Sequence, residues 1–165
     1  MSDLRNHYVR DWLTNDEGAL CCAEFFISES YKGRFINVGY SIKNRNVASV
    51  FCMLDVDNTL NQELNRHIQH VTELIGVLDK VHEFITTSSS EGSRQRSWAV
   101  PHRDIHDQVT ISIQHHFKNS FKMIIQIGTS TTYFSMEDEE MVDVLLTLTD
   151  LAKQHNKALG KLVAS

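Results

Sequence analysis

Proline occurs once in this chain, at position 101, and that scarcity limits the architecture first. One proline and seven glycines in 165 residues exclude collagen-like repeats and proline-rich linkers. Long apolar runs are missing too, so no segment reads as a membrane-spanning helix. The opening residues MSDLRNHYVRDWL lack a basic start followed by an apolar stretch, so they do not read as a secretory signal. Cysteine is sparse: Cys21 and Cys22 are adjacent and Cys52 is distant, which is no disulfide framework. All three lie in apolar, strand-like surroundings, where a free thiol behaves as a small core side chain. A cytoplasmic, reducing compartment is expected.

Positive charge is the next shortage. The net charge of −5 argues against binding duplex nucleic acid by bulk electrostatics. That charge is segregated along the chain. Residues 135–151 hold Glu137, Asp138, Glu139, Glu140, Asp143 and Asp150 with no base, whereas residues 30–46 hold Lys32, Arg34, Lys43 and Arg45 with no acid. Segregation of this kind predicts separate faces.

Catalytic signatures are also lacking. The chain has no nucleophile elbow, P-loop, dinucleotide fingerprint or paired-histidine zinc helix. His102-Arg103-Asp104 has neither the glycine-rich loop nor the downstream Asp-Phe-Gly of a kinase. His102 and His106 have metal-ligand spacing but stand beside Pro101 in an expected loop. His115 and His116 point to opposite faces if they lie on a strand, as do Cys21 and Cys22. Asp55 and Asp57 read as residues leading into a helix, and His67 and His70 as solvent-edge residues of that helix. No nucleophile, base and orienter come together, so neither an enzyme nor a metal or cofactor is expected.

What is present is a pattern stated twice. Residues 25–42 and residues 110–128 each read as strand, tight aromatic-basic turn and second strand. Each is followed, after one more strand-like stretch, by a long amphipathic helix. Self-similarity of this kind predicts an α+β fold of duplicated antiparallel β-sheet units, each closed by a helix. The expected organisation is a single domain over 1–165, with an internal repeat at 19–85 and 98–162 joined by a flexible, polar 86–97.

Residues 3–14 place Leu4, Tyr8, Val9, Trp12 and Leu13 at helical spacing, which predicts a short first helix and leaves three strands before the long one. That long helix carries Leu60, Leu64, Ile68, Val71, Ile75, Leu78, His82 and Ile85 at steps of three and four. The last helix carries Met141, Leu145, Leu148, Ala152, His155, Leu159 and Leu162 in the same way. Its acids crowd the first turns and its lysines the last, as the helix dipole favours. Both stripes approach a heptad, so the helices either pack together over the sheets or make a homo-oligomer.

The turns carry the functional signal. Tyr31 and Phe35 flank Lys32 and Arg34, with Lys43 and Arg45 at the far end of the strand. In the second copy Phe117 and Phe121 flank Lys118, and Lys122 follows. Aromatics for base stacking beside cations for phosphates are what a single-strand-binding sheet offers. The segment Tyr31-Lys32-Gly33-Arg34-Phe35-Ile36-Asn37-Val38 resembles the strand-turn motif of the Whirly and transcriptional-positive-cofactor superfamily. His116-Phe117-Lys118-Asn119-Ser120-Phe121-Lys122 is similar, with Asn for Gly and one residue inserted. Tyr133 to Glu140 resembles that superfamily's last strand running into an acid-rich helix start. The resemblance implies two units of four strands and a helix. It also implies a sequence-tolerant binder of single-stranded nucleic acid, DNA before RNA, acting in replication, recombination or transcription. Lys32 and Arg34 would then sit on phosphate and the aromatics on bases.

A second class fits the acidity better: a protein-binding module, such as a secretion chaperone or an inhibitor of a host protein. Its contact surface would be the acidic run 137–143.

Overall fold

The computed structural model describes residues 7–14, 20–30, 35–43, 49–55, 60–87, 94–100, 108–115 and 120–164. Four strands come first: β1 (His7–Thr14), β2 (Leu20–Ser30), β3 (Phe35–Lys43) and β4 (Ser49–Asp55). Helix α1 (Leu60–Thr87) follows. Then come β5 (Arg94–Val100), β6 (Val109–His115), β7 (Ser120–Ile127), β8 (Ser130–Glu137) and helix α2 (Asp138–Ala164). Each set of strands forms an antiparallel meander, in the orders β1-β2-β3-β4 and β5-β6-β7-β8. The class is α+β, with two antiparallel sheets and two long helices.

Several expectations require correction, two of them in the order of elements. His7–Thr14 is a strand, not a helix, with Tyr8 opposite Phe26 and Val9 opposite Phe25. On so short a segment Tyr8, Val9, Trp12 and Leu13 satisfy both periods, and hydrogen bonding to β2 decides between them. This strand completes four before α1. The expected linker 86–97 is also shorter. Helix α1 runs through Thr87, and Arg94 to Ser97 already pair with β6, leaving 88–93 outside the described residues.

Sheet two shows why its strands form. In β6 every second residue from Val109 to His115 is buried, and β7 alternates in step. Residues Val109, Ile111 and Ile113 are β-branched and pack on a pleated, half-buried surface. A two-residue loop joins β7 to β8, and Gly128 takes the left-handed conformation there, with φ 59°. Its N–H donates to the Gln108 carbonyl at 3.0 Å.

The helices close the core by exchange. Helix α2 follows β8, yet it lies against β1 and β2 of the first sheet as well as β7 and β8 of the second. Helix α1 lies against β4, β5 and α2. One large cluster therefore joins Phe25 and Tyr40 of sheet one to Ile111, Met123 and Phe134 of sheet two through Leu74, Leu78, Leu145 and Leu148. A smaller cluster unites Ile27, Ile36 and Val38 with Leu64, Ala158, Leu159 and Leu162. The sheets also meet directly, where the Thr132 hydroxyl donates to the Ile42 carbonyl at 3.2 Å.

The stripe expected on α2 is the buried one, from Met141 through His155 to Leu162. On α1 the stripe is displaced. His67, Leu74 and Val81 are buried, while Ile68, Ile75 and His82, each one residue later, are only partly so. His67 and His70 are thus core residues rather than solvent-edge ones. Cys22 is half-buried on the outer side of β2 rather than in the core.

Candidate nucleic-acid interface

Helices cover one side of each sheet, so strand alternation dictates what the other side offers. On sheet two the outward row in register is Ser97, Ser112, Ile124 and Tyr133. Next to it runs the row Gln95, Gln114, Lys122 and Ser135. On the other side lies Ala99, Thr110, Gln126 and Thr131. Every one of these residues is exposed or half-exposed. Hydroxyls and amides dominate, and none of the three rows contains a carboxylate. Glu137, at the corner opposite Ser120, is the one acid on this face among the described residues.

Two side chains stand out from this neutral surface. Tyr133 is 37% exposed, and the Lys122 ammonium lies 4.8 Å from its ring centroid. The lysine sits diagonally across from the tyrosine, since Lys122 pairs with Ser135 and Tyr133 with Ile124. A cation held over an exposed ring presents a stacking surface and a phosphate partner at one point. Ser97 and Ser112 share a hydroxyl hydrogen bond of 2.8 Å in the same row as Tyr133.

Sheet one repeats the theme with different residues. Tyr8 is 55% exposed and stacks on Phe26 across the β1–β2 pair, with centroids 6.4 Å apart. Arg10 and Glu24 lie opposite one another on the same face. Sequence reasoning missed Tyr8, Phe26 and Tyr133. The alternation of outward aromatics along β1, β2 and β8 was their signal, and for β1 the helical reading concealed it.

The residues expected at the site distribute unevenly. Lys122 is in place on β7, half-buried beside Tyr133. Phe35 opens β3, in register with Ser30 and Asp55, and Lys43 closes it opposite Cys22. Tyr31, Lys32, Arg34, Arg45, Phe117 and Lys118 lie outside the described residues. In chain order, 31–34 join β2 to β3 and 116–119 join β6 to β7, so both aromatic-basic segments connect the two middle strands of a sheet. Phe121 is buried, stacked on His115 with centroids 4.6 Å apart, so it faces the core and not a ligand.

The acidic start of α2 is open to solvent at Glu137, Glu139, Glu140 and Asp143. The Asp138 carboxylate accepts the Glu139 N–H at 2.8 Å, placing negative charge at the positive end of the helix. His102, His106 and Asp57 fall outside the described residues. Among the described residues no group of three or more His, Cys, Asp or Glu is arranged to hold a metal ion. Among them, too, no helix is long and apolar enough to cross a membrane.

No protein-family model, no curated protein and no solved structure matches this chain.

Proposed function

We propose that this chain binds single-stranded nucleic acid, DNA before RNA, across the outer faces of its sheets and with little dependence on sequence. The observation that carries this reading is the Lys122–Tyr133 pair on the β7–β8 side of a face dominated by neutral amides and hydroxyls. Stacking on a tyrosine accepts any base, and amides and hydroxyls donate to or accept from any base edge. Neither property selects a sequence. A single strand exposes the bases that this surface would take, whereas a duplex presents phosphates that a chain of net charge −5 attracts weakly.

The two halves are read as copies of one unit, four strands and a helix, consistent with the matching meanders and the matching position of the aromatic-basic connections. Lys32 and Arg34 in one copy, and Lys118 in the other, supply phosphate contacts at the sheet ends. Lys43 and Arg45 contribute more weakly. The protein acts in the cytoplasm, as a homo-oligomer, in replication, recombination or transcription. It carries out no catalysis.

The second reading keeps the protein-binding module. It is favoured by exposed acids at the start of α2 that make no ion pair among the described residues. Fluorescence anisotropy with labelled single- and double-stranded oligonucleotides at two salt concentrations separates the two. Preferential single-strand binding that weakens with salt supports the first. Absence of binding at low salt overturns it and leaves the acidic surface.

A further inference from the structure

Three histidines are buried where α1, α2 and sheet one converge. His67 and His155 approach Nε2 to Nε2 at 3.0 Å, with their rings edge to face. His70 shares a 2.7 Å hydrogen bond with the Tyr40 hydroxyl and stacks on that ring. Phe25 packs against both His155 and Tyr40. His155 is 0% exposed, and His67 and His70 are nearly as enclosed. A neutral imidazole has one N–H and one acceptor nitrogen. The His67–His155 contact therefore requires one ring to donate and the other to accept.

We propose that this pair is an acid-sensitive clasp between α1 and α2. One added proton leaves the contact intact, because a doubly protonated donor ring still faces an acceptor. A second proton removes the acceptor, and two N–H groups then point at each other inside the core. The folded pair thus holds one fewer proton than two solvated imidazoles, whose ordinary pKa is about 6.5. The open form binds more protons, so its population rises as pH falls through and below that value. Well below that value one excess proton changes the opening equilibrium tenfold per pH unit, and between pH 7.5 and 5.0 the change is roughly thirtyfold.

The contacts shown for the pair come from three elements. From β2 comes Phe25, from β3 Tyr40, and from α1 His70. The Tyr40–His70 bond survives protonation, because the hydroxyl oxygen accepts as readily as the O–H donates. Glu63 stands one turn before His67 on α1 and is bonded to Arg66 at 2.6 Å. Its carboxylate favours the first proton, which the clasp tolerates. Among the residues whose side chains are described, no Asp, Glu, Lys or Arg is buried.

Position determines what opens. One turn before His67 is Leu64, and one turn after His155 is Leu159, both in the smaller apolar cluster. The neighbouring tie is weak, an Asn156 amide shared between the Ile68 carbonyl at 3.4 Å and the Thr72 hydroxyl at 3.1 Å. Loss of the clasp releases the last turns of α2 and uncovers Ile27, Ile36 and Val38.

The test is amide hydrogen exchange on the full chain at pH 7.5 and 5.0, corrected for intrinsic rates, with imidazole 15N spectra reporting ring protonation. Protection over residues 152–164 should fall at least tenfold at pH 5.0 as the second ring of the pair protonates. In His155→Gln, and reciprocally in His67→Gln, an uncharged amide replaces one ring, and protection should become nearly independent of pH. Three results overturn the clasp: both rings protonating with α2 still protected, the same acid loss in both glutamine variants, or an equal loss across the whole chain. Stabilisation by zinc alone at pH 7.5, abolished in His155→Gln, would also overturn it and make the pair a metal site.

Discussion

Lys122 and Tyr133 stand diagonally across neighbouring strands, with the lysine ammonium 4.8 Å from the ring centroid and Glu137 at the opposite diagonal. Because the ring is partly in solvent, its removal should be felt in binding more than in folding. Tyr133→Ala is expected to weaken single-strand affinity by about 1–3 kcal/mol, the cost of one lost stacking partner. Its melting temperature should move little. Tyr133→Phe should bind as the parent does. Anisotropy titrations with a melting curve for each variant check both statements.

Lys122→Ala should act differently. Loss of one phosphate contact weakens binding to all sequences alike and lowers the salt slope by about 0.7 for a single strand. The double variant Lys32→Ala, Arg34→Ala should show the same signature more strongly. Titrations across four salt concentrations measure the slope. An unchanged slope in both variants, with folding intact, would turn attention to Glu137, Glu139 and Glu140.

Gly76 and Gly160 lie inside α1 and α2, exposed, with nothing within 4 Å of the place an alanine methyl would take. Alanine there meets no obstacle and narrows the unfolded ensemble. Gly76→Ala and Gly160→Ala should each stabilise the fold by about 0.5–1 kcal/mol. Urea denaturation measures the gain, and the two changes should add, since the sites are on different helices.

Tyr40→Phe removes the hydroxyl that meets His70 at 2.7 Å in the core. Losing a buried hydrogen-bond partner costs about 1–3 kcal/mol. Phe25→Ala, which empties the space under both Tyr40 and His155, should cost about 3–5 kcal/mol. Thermal denaturation at pH 7.5 ranks them.

Legibility in the sequence follows the number of apolar residues an element must bury. All seven residues of the expected α2 stripe are buried, although Val144, Leu151 and Ala158 widen the face beyond it. On α1 two stripes compete. Hydropathy favours Ile68 over His67, Ile75 over Leu74 by little, whereas the buried seam is the one in which His67 meets His155. Strand β5 is legible only from Trp98 onward, since Gln95, Arg96 and Ser97 are exposed on a sheet edge and need no apolar pattern. At the candidate site, composition reveals the aromatic-basic connections. The outward partners Tyr8, Phe26 and Tyr133 emerge only once pairing register assigns each residue a face.

The exchange of helices between sheets also sets a schedule for synthesis. Strands β1 and β2 leave the ribosome well before α2, which covers their inner face. At about 5–20 residues per second, Phe25 and Ile27 wait on the order of ten seconds for their cover. In that interval sheet one presents an apolar surface with an unpaired edge, the condition under which nascent chains associate. A ribosome stalled anywhere before α2 would hold that surface open indefinitely.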